Sequence, residues 1–438
     1  LVFVHEFGHF AAAKLSGMRA DVFAIGFGKR LLGWNKITGF TFGELPKDFN
    51  GQGNTDYRLS LLPLGGYVKI AGMVDESFDT EFANKEPEPW EFRSKPTYKK
   101  IFVITAGVLM NLLLAFIIFW GANFFQGKQV VQTTTVGYVE PNSAADSLGF
   151  KSGDKILSVN DKPIYNWTDF DSEMLINTMG KDVKIKVKRE NEVVSVFIPR
   201  TKIPEQNEVP LVIAEGWKQP FIDSVLSGTP ASKAGIKKRD VLLKINGNGI
   251  QTRSEAVSII SGHKNKPIQM VMLRDQDTVT LSATPDKDGL IGVLIVQQYA
   301  GKIRYETYGF FESFYYGWKD IVKITDLTFT MLGRVFAGDI EFGKAFGGPI
   351  KIAQFAAKSA DTGILSFLYF LALLSLTLAI INIMPFPVLD GGHLLIILIE
   401  GIIRREIPIK VKVAIQNVGF VLLLLLMAFI LYNDILNI

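Results

Sequence analysis

Three apolar runs, 101–125, 364–384 and 413–432, constrain this chain more than any other feature. Each reaches the roughly 20 residues that a helix needs to cross the hydrocarbon core of a bilayer. With no water there to satisfy backbone N–H and C=O groups, such a run is read as helix. The remaining sequence is mixed, so the 438 residues, 48% of them hydrophobic, describe a membrane protein with additional polar domains. A net charge of +4 with no basic stripe interleaved with aromatics excludes a nucleic-acid partner. No cysteine is present, so disulfides and thiolate metal sites are excluded.

The chain opens on Leu1-Val2-Phe3-Val4-His5-Glu6-Phe7-Gly8-His9, an apolar helical stretch carrying His-Glu-x-x-His. Residues four apart share a helix face, so His5 and His9 can offer two imidazoles to one metal ion, with Glu6 beside them as general base. Zinc held by three protein ligands keeps a position for water and brings that water's pKa from about 15.7 toward roughly 7. The same pattern also arises by chance in packed or solvated helices. Here it sits in an apolar run, where ionisable groups are costly and mark function by default. About a dozen apolar residues precede Lys14, fewer than a span requires, so the first membrane helix, 1–16, is expected to be incomplete.

Residues 17–98 are glycine-rich, with short strand patterns around Phe23, Phe40 and Tyr57 and from Tyr67 to Ile70. A hairpin sheet beside a metal helix offers an edge, including Val68 and Ile70, that can pair with an extended substrate backbone; a plain structural loop is the alternative. Within the second span, 99–126, Asn111 lies mid-helix and is expected to face protein as interhelical glue, while Asn123 lies near an interface.

The polar segment that follows contains a repeat at an offset of 86 residues. Gly149, Asp154, Val159, Asn160 and Ile164 recur as Gly235, Asp240, Ile245, Asn246 and Ile250. The two copies, 130–202 and 208–298, resemble tandem PDZ domains, a likeness that implies grooves accepting peptide termini as an added strand. A purely steric role is the alternative. Residues 303–360 recur apolar at helical spacing against a charged face and are expected to lie as amphipathic helices on the membrane surface without crossing. The third span, 364–384, ends at Asn382-Ile383-Met384-Pro385-Phe386-Pro387, where two prolines break the helix. Broken backbone at membrane depth is tolerated only where it is buried in protein or lines a wet cavity, which makes Asp390 a candidate ligand. The segment 385–411 and the last span, 412–433, complete the plan.

Parity tests that assignment. If 303–340 does not cross, the third span returns Asp390 to the face where the first helix ends. Lys14, Arg19, Lys29, Arg30, Lys95, Lys99 and Lys100, with Arg404, Arg405, Lys410 and Lys412, flank that face, which the positive-inside rule makes cytoplasmic.

Together, His5-Glu6-Phe7-Gly8-His9, Pro63-Leu64-Gly65-Gly66-Tyr67-Val68-Lys69, the PDZ-like pair, Gly347-Gly348-Pro349-Ile350 and Asn382-x-x-Pro385-x-Pro387-x-x-Asp390-Gly391 resemble the site-2 protease family, closest to its bacterial sigma-E-regulating branch. The resemblance implies an α+β multi-domain membrane protein with four transmembrane helices, the first truncated. It also implies a membrane re-entrant β-hairpin holding Gly26 and Gly28, and two extracytoplasmic PDZ domains. It implies zinc (Zn2+) on His5, His9 and Asp390, Glu6 as base, and Asn382, with Pro385 and Pro387 beside it, in contact with substrate. The implied substrates are single-span membrane proteins such as anti-sigma factors and remnant signal peptides, cut in a bacterial inner membrane. Val108 follows Gly107 where the family pattern has proline, which bears on local helix shape. His393 is expected to support the site without ligating, and His263 to be a solvated loop residue. The competing class is a non-catalytic membrane scaffold that binds peptide termini.

Overall fold

The computed structural model describes residues 1–46, 49, 51–73, 86–141, 143–174, 182–199, 211–338 and 347–436. Residues 74–96 carry many carboxylates and prolines and read from the sequence as an exposed loop; 74–85 of them lie outside the described residues. The chain forms two compact units, one of Leu1–Gly127 with Thr307–Ile438, the other Lys128–Glu306.

In the first unit, helix α1 (Val2–Leu15) leads into strands β1 (Ala20–Asn35), β2 (Gly39–Phe42) and β3 (Asp56–Ile70), then helix α2 (Thr97–Phe125). After the second unit come α3 (Phe310–Phe336), α4 (Pro349–Thr362), α5 (Ile364–Ile383), α6 (Asp390–Ile403) and α7 (Ile409–Leu436). Among the described residues, α2, α5 and α7 are the helices long and apolar enough to cross a membrane. The amphipathic α3 is not one of them. It packs on the second half of α2, with Phe314 against Phe116, Phe310 against Trp120, and Asn123 Nδ2 donating to Asp320 Oδ2 at 2.8 Å.

Small residues let these helices approach one another closely. A Cβ on Gly8 would strike the carbonyl of Ala106, so α1 lies backbone to backbone on α2. Ser375 Oγ of α5 donates to the Asn111 carbonyl of α2 at 2.8 Å. The Gly347-Gly348-Pro349 motif is explained by Asp434 near the end of α7. Its buried carboxylate accepts from the N–H groups of Gly348, Ile350 and Lys351 at 3.0, 3.1 and 3.3 Å, and a Cβ on Gly348 would collide with it.

The sheet order is β2-β1-β3. Val22 registers with both Asp56 and Lys69, and Ile25 with both Leu59 and Gly66, so the first half of β1 lies between two segments of β3. The segment ending at Ile70 is therefore an edge, with no strand on its outer side among the described residues. A fully buried Arg30 holds the opposite end of the sheet, donating to both Asp56 oxygens at 3.2 Å and to the carbonyls of Thr41 and Gly43.

The second unit carries the repeat as two β modules, each with its own core around Ile185 or Met270. The first has the strand Lys155–Val159 beside Val183–Arg189 and Glu192–Ile198. The second has Val241–Ile245 beside Ile268–Arg274 and Asp277–Ala283. The equivalence extends to hydrogen bonds. Arg189 grips Asp154 through Nε and Nη2, both at 2.8 Å, and Arg274 grips Asp240 at the same distances. Gly149 and Gly235 sit at positive φ, 91° and 77°, and their carbonyls accept from the same two arginines.

Burial pulls the Asp154 carboxyl upward, but the Arg189 hydrogen bonds and the Lys151 N–H outweigh it and hold it below the usual carboxylate range. A depressed folded pKa contributes stability above the unfolded value and loses it as pH falls through the folded one. Asp154→Asn is therefore expected to lower the unfolding temperature of this unit at pH 7. The gap from the parent should close below pH 3.8, as read by calorimetry of the solubilised protein.

Candidate metal centre

The site is assembled from the two ends of the chain. On α1, His5 and His9 face α2 one turn apart, with Nε2 atoms 3.2 Å from each other. Asp390, first residue of α6, brings Oδ2 to 3.2 Å from His5 Nε2 and 3.4 Å from His9 Nε2. Three ligand atoms on a tetrahedron with arms of about 2.0–2.2 Å stand roughly 3.3–3.5 Å apart. The observed triangle has that size. His9 Nδ1 donates to the Val103 carbonyl at 2.8 Å, which leaves Nε2 with its lone pair. Asp390 Oδ2 is buried with no hydrogen-bond partner. Acceptors converging on one point in a buried place require a cation there, so these residues fit a zinc ion.

Local sequence explains the placement. After Ile383 the prolines end α5, and Val388 takes φ of 78°, an outlier for a β-branched residue that turns the chain back into α6. A Cβ on Gly391 would collide with the carbonyls of Ile383 and Met384, and one on Gly392 with that of Phe386, so this turn closes only on glycines. Gly107 of α2 lies against both imidazoles: a Cβ there would overlap His9 Nε2 and reach 2.7 Å from His5 Cε1. Gly107→Ala is expected to leave the protein folded while displacing the histidine pair, with bound zinc falling well below one per chain by metal analysis.

A cleft lined by His5, Glu6, His9, Val68, Ile70, Met73, Ile104, Val388, Asp390 and His393 surrounds the triangle. Glu6 is buried, at 7% exposure. Val68 and Ile70 are thus brought to the metal triad. Asn382 is too, with Nδ2 3.3 Å from His5 Nε2. Pro387 instead backs onto Gly419 of α7, and Gly26 and Gly28 sit at positive φ where β1 turns on itself, outside the cleft lining. Pro385 lies in the connection between α5 and α6 and does not line the cleft.

His393 lines the cleft and also a second cavity with Lys100, Glu400 and Lys412, and Gln416 Nε2 lies 3.0 Å from its Nε2. His263 in the second module bonds to Asn246 and the Ile259 carbonyl. The expectation that Asn111 faces protein as an interhelical contact holds: it is buried, and its Nδ2 lies 3.2 Å from Nδ1 of His5 on α1, a partner that the sequence did not name. The signal was there in Gly107 and Asn111, four apart on one face of a spanning helix.

A triad of two histidines and one carboxylate, with a glutamate next to the first histidine, is an arrangement of the kind that metallopeptidases use. The model of peptidase family M50 matches residues 1–426. A putative zinc metalloprotease of Vibrio cholerae is 31% identical over 99% of this chain and 95% of its own length. Protease RseP of Yersinia pestis is 32% identical over 99% and 95%. The PDZ domain of an SdrC-like protein from Listeria monocytogenes overlaps 19% of this chain and 94% of its own, at 19% identity and a TM-score of 0.17, too low to carry weight. The chain belongs to peptidase family M50, the site-2 protease family of zinc metallopeptidases.

Proposed function

We propose that this peptidase cuts amide bonds inside the membrane-spanning segments of single-span proteins, with His5, His9 and Asp390 as zinc ligands and Glu6 as general base. The observation that carries this reading is the convergence of Asp390 with the opening histidine pair, beside Glu6 and an open strand edge in one cleft.

When bound, zinc supplies Lewis acidity that acidifies water and polarises a carbonyl. Glu6 takes the proton of the attacking water and passes it to the leaving amide nitrogen. The Asn382 amide, on the lip of α5, donates to the oxygen that becomes negative. Turning the Asn111 amide so that its buried Oδ1 accepts from His5 Nδ1–H satisfies that oxygen and leaves His5 Nε2 free to ligate.

A substrate helix has its backbone already hydrogen-bonded, so it must unwind before cleavage. The edge through Val68 and Ile70 compensates the lost bonds by adding the substrate as a strand. Val68→Pro or Ile70→Pro is expected to slow cleavage about tenfold, the effect of one net backbone hydrogen bond of roughly 1.5 kcal/mol, with zinc unchanged. Loss of zinc in both would make the strand merely structural.

The four-span plan, with α1 as part of a first membrane helix, is supported by contacts at one face. Lys99 Nζ donates to the Ser16 carbonyl at the end of α1, and Lys100 pairs with Glu406 after α6 at 3.4 Å. These basic residues give the face a cytoplasmic identity in a bacterial inner membrane. Arg30 is spent on Asp56 and leaves that tally.

The twin β modules act as extracytoplasmic PDZ domains that admit peptide termini, and substrates include anti-sigma factors and remnant signal peptides, in line with the sigma-E regulators of Salmonella among the relatives. The test is cleavage of a tagged single-span substrate in nanodiscs. A cut within the span, abolished by chelation and restored by zinc, supports the assignment; a cut confined to the flanking polar segments overturns it.

A further inference from the structure

The two β modules share a fold but differ on one sheet face. Residues opposite each other across strands share a face, as do alternate residues along a strand. In the first module the register places Lys188 between Lys155 and Val193, Lys186 between Ser158 and Ser195, and Lys184 beside Phe197. Ile185 and Val187, which alternate with these lysines, are buried in the core, so the lysine face is the outer one. Lys155, Lys184 and Lys188 are exposed, and Phe197 and Val193 are 57% and 62% exposed. Among the described residues one of the four lysines, Lys186, is in an ion pair, with Asp161 at 2.6 Å; the other three are in none.

The fold does not require this charge. In the second module the same register puts Leu273 between Val241 and Thr278, Val271 between Lys244 and Thr280, and Gln269 beside Ser282. Lys244 is the one charge there, although the cores and arginine grips of the two modules match. Like charges directly opposite each other destabilise a sheet, so the Lys155–Lys188 pair works against folding until an anion meets it.

Four cations on one flat face, with Phe197 and Val193 among them, match a surface that is anionic outside and apolar just beneath, which is a lipid headgroup layer. An acidic peptide would answer the charge but leave both apolar side chains in water. The chain also supplies proximity. Val131, a few residues beyond the end of α2, packs on the core of the first module and donates its N–H to Thr168 Oγ1 at 3.2 Å. The first module is thus joined by a short connection to a spanning helix, and a short tether raises the effective concentration of lipid at its surface.

We infer that the lysine face of the first β module is a docking surface for anionic lipid headgroups, with Phe197 and Val193 reaching into the interface. Docking pins the tandem to the leaflet at one module, so that it does not swing on the two-stranded neck of Lys128–Val131 and Ile303–Glu306 through which the chain enters and leaves.

The inference rests on α2 spanning the bilayer, and the experiment tests the two separately. The chain has no cysteine, so single nitroxide labels can be placed without other changes. Ser195→Cys on the lysine face, Thr280→Cys at the equivalent place in the second module and Ile117→Cys on the exposed side of α2 are labelled in full-length protein in nanodiscs. Electron paramagnetic resonance reads collision with a nickel chelate carried on a lipid headgroup, and oxygen access at 117 marks the bilayer. Collision at 195 is expected to be strong in discs containing phosphatidylglycerol and weak in discs of phosphatidylcholine alone, and collision at 280 weak in both. Each lysine near an anionic surface contributes about fivefold, so Lys184→Gln, Lys186→Gln and Lys188→Gln together lower the docked-to-free ratio roughly a hundredfold. Lys184→Arg, Lys186→Arg and Lys188→Arg together retain it. Salt at about 1 M, where the Debye length is about 3 Å, releases the parent. Equal collision at 195 in the two kinds of disc, with 117 in lipid, overturns the inference alone. A label at 195 that neither the lipid-borne nor a water-soluble chelate reaches shows a protein cover and also overturns it. Absence of oxygen access at 117 overturns the membrane reading itself.

Discussion

Glu6→Gln retains one zinc per chain and cleaves its substrate between about a hundredfold and ten-thousandfold more slowly than the parent, the range that a positioned general base supplies. Glutamine keeps the length and hydrogen-bonding capacity of the side chain but cannot accept the proton. The buried setting makes this sharp, because Glu6 lines the cleft with the three ligand residues and, among the described residues, no other carboxylate besides Asp390 lines it. The measurement is single-turnover cleavage in nanodiscs alongside metal analysis of the same sample. Full activity in the variant would remove Glu6 from the mechanism. Loss of zinc would reassign it to holding the site together.

Asp390→Ala has the second large effect, and it acts on the metal first. The substitution takes away one of three ligand atoms and leaves two imidazoles, whose Nε2 atoms are 3.2 Å apart, as the remaining grip. Loss of an outer partner of a ligand already costs about 10–100-fold in metal affinity, and loss of the ligand itself costs more. The variant is expected to purify with far less than one zinc per chain and to cleave at background rate. The turn that carries Asp390 is built by Gly391, Gly392 and the proline pair, which the substitution does not touch, so the fold should survive. Full zinc occupancy in Asp390→Ala would remove the aspartate from the ligand set and, with it, the convergence of the two chain ends on which the proposed function stands.

Much of this protein was legible before any coordinates, and the particular residues show why. The spans were readable because a bilayer leaves backbone groups no partner but the helix itself, so twenty apolar residues in a row admit one structure. His5 and His9 were readable because the helical repeat alone puts residues four apart on one face. The repeat was readable because Asp154 and Asp240 do the same local work, closing a turn through the N–H of a residue three earlier. Their partners Arg189 and Arg274 were missed: each lies more than thirty residues downstream, on a strand whose register nothing local announces. Asn111 was read correctly as an interhelical contact, but that its partner is the ligand residue His5 was not legible, because which residue of a neighbouring helix it meets depends on how closely α1 and α2 approach. Gly8 and Gly107 set that approach by steric contact, and no pattern along either helix states its consequence.

Taken by itself, then, the sequence determined the elements whose causes are local: spanning helices, the histidine spacing, the proline break before Asp390, and two copies of one β module. Only the tertiary structure decided that Asp390 stands within 3.4 Å of the histidines, that the Val68 edge opens into the same cleft, and that Lys155, Lys188 and Phe197 share one exposed sheet face. Those are relations between segments separated by dozens to hundreds of residues. Packing fixes them through the summed fit of many small contacts, and no short stretch of sequence carries that sum.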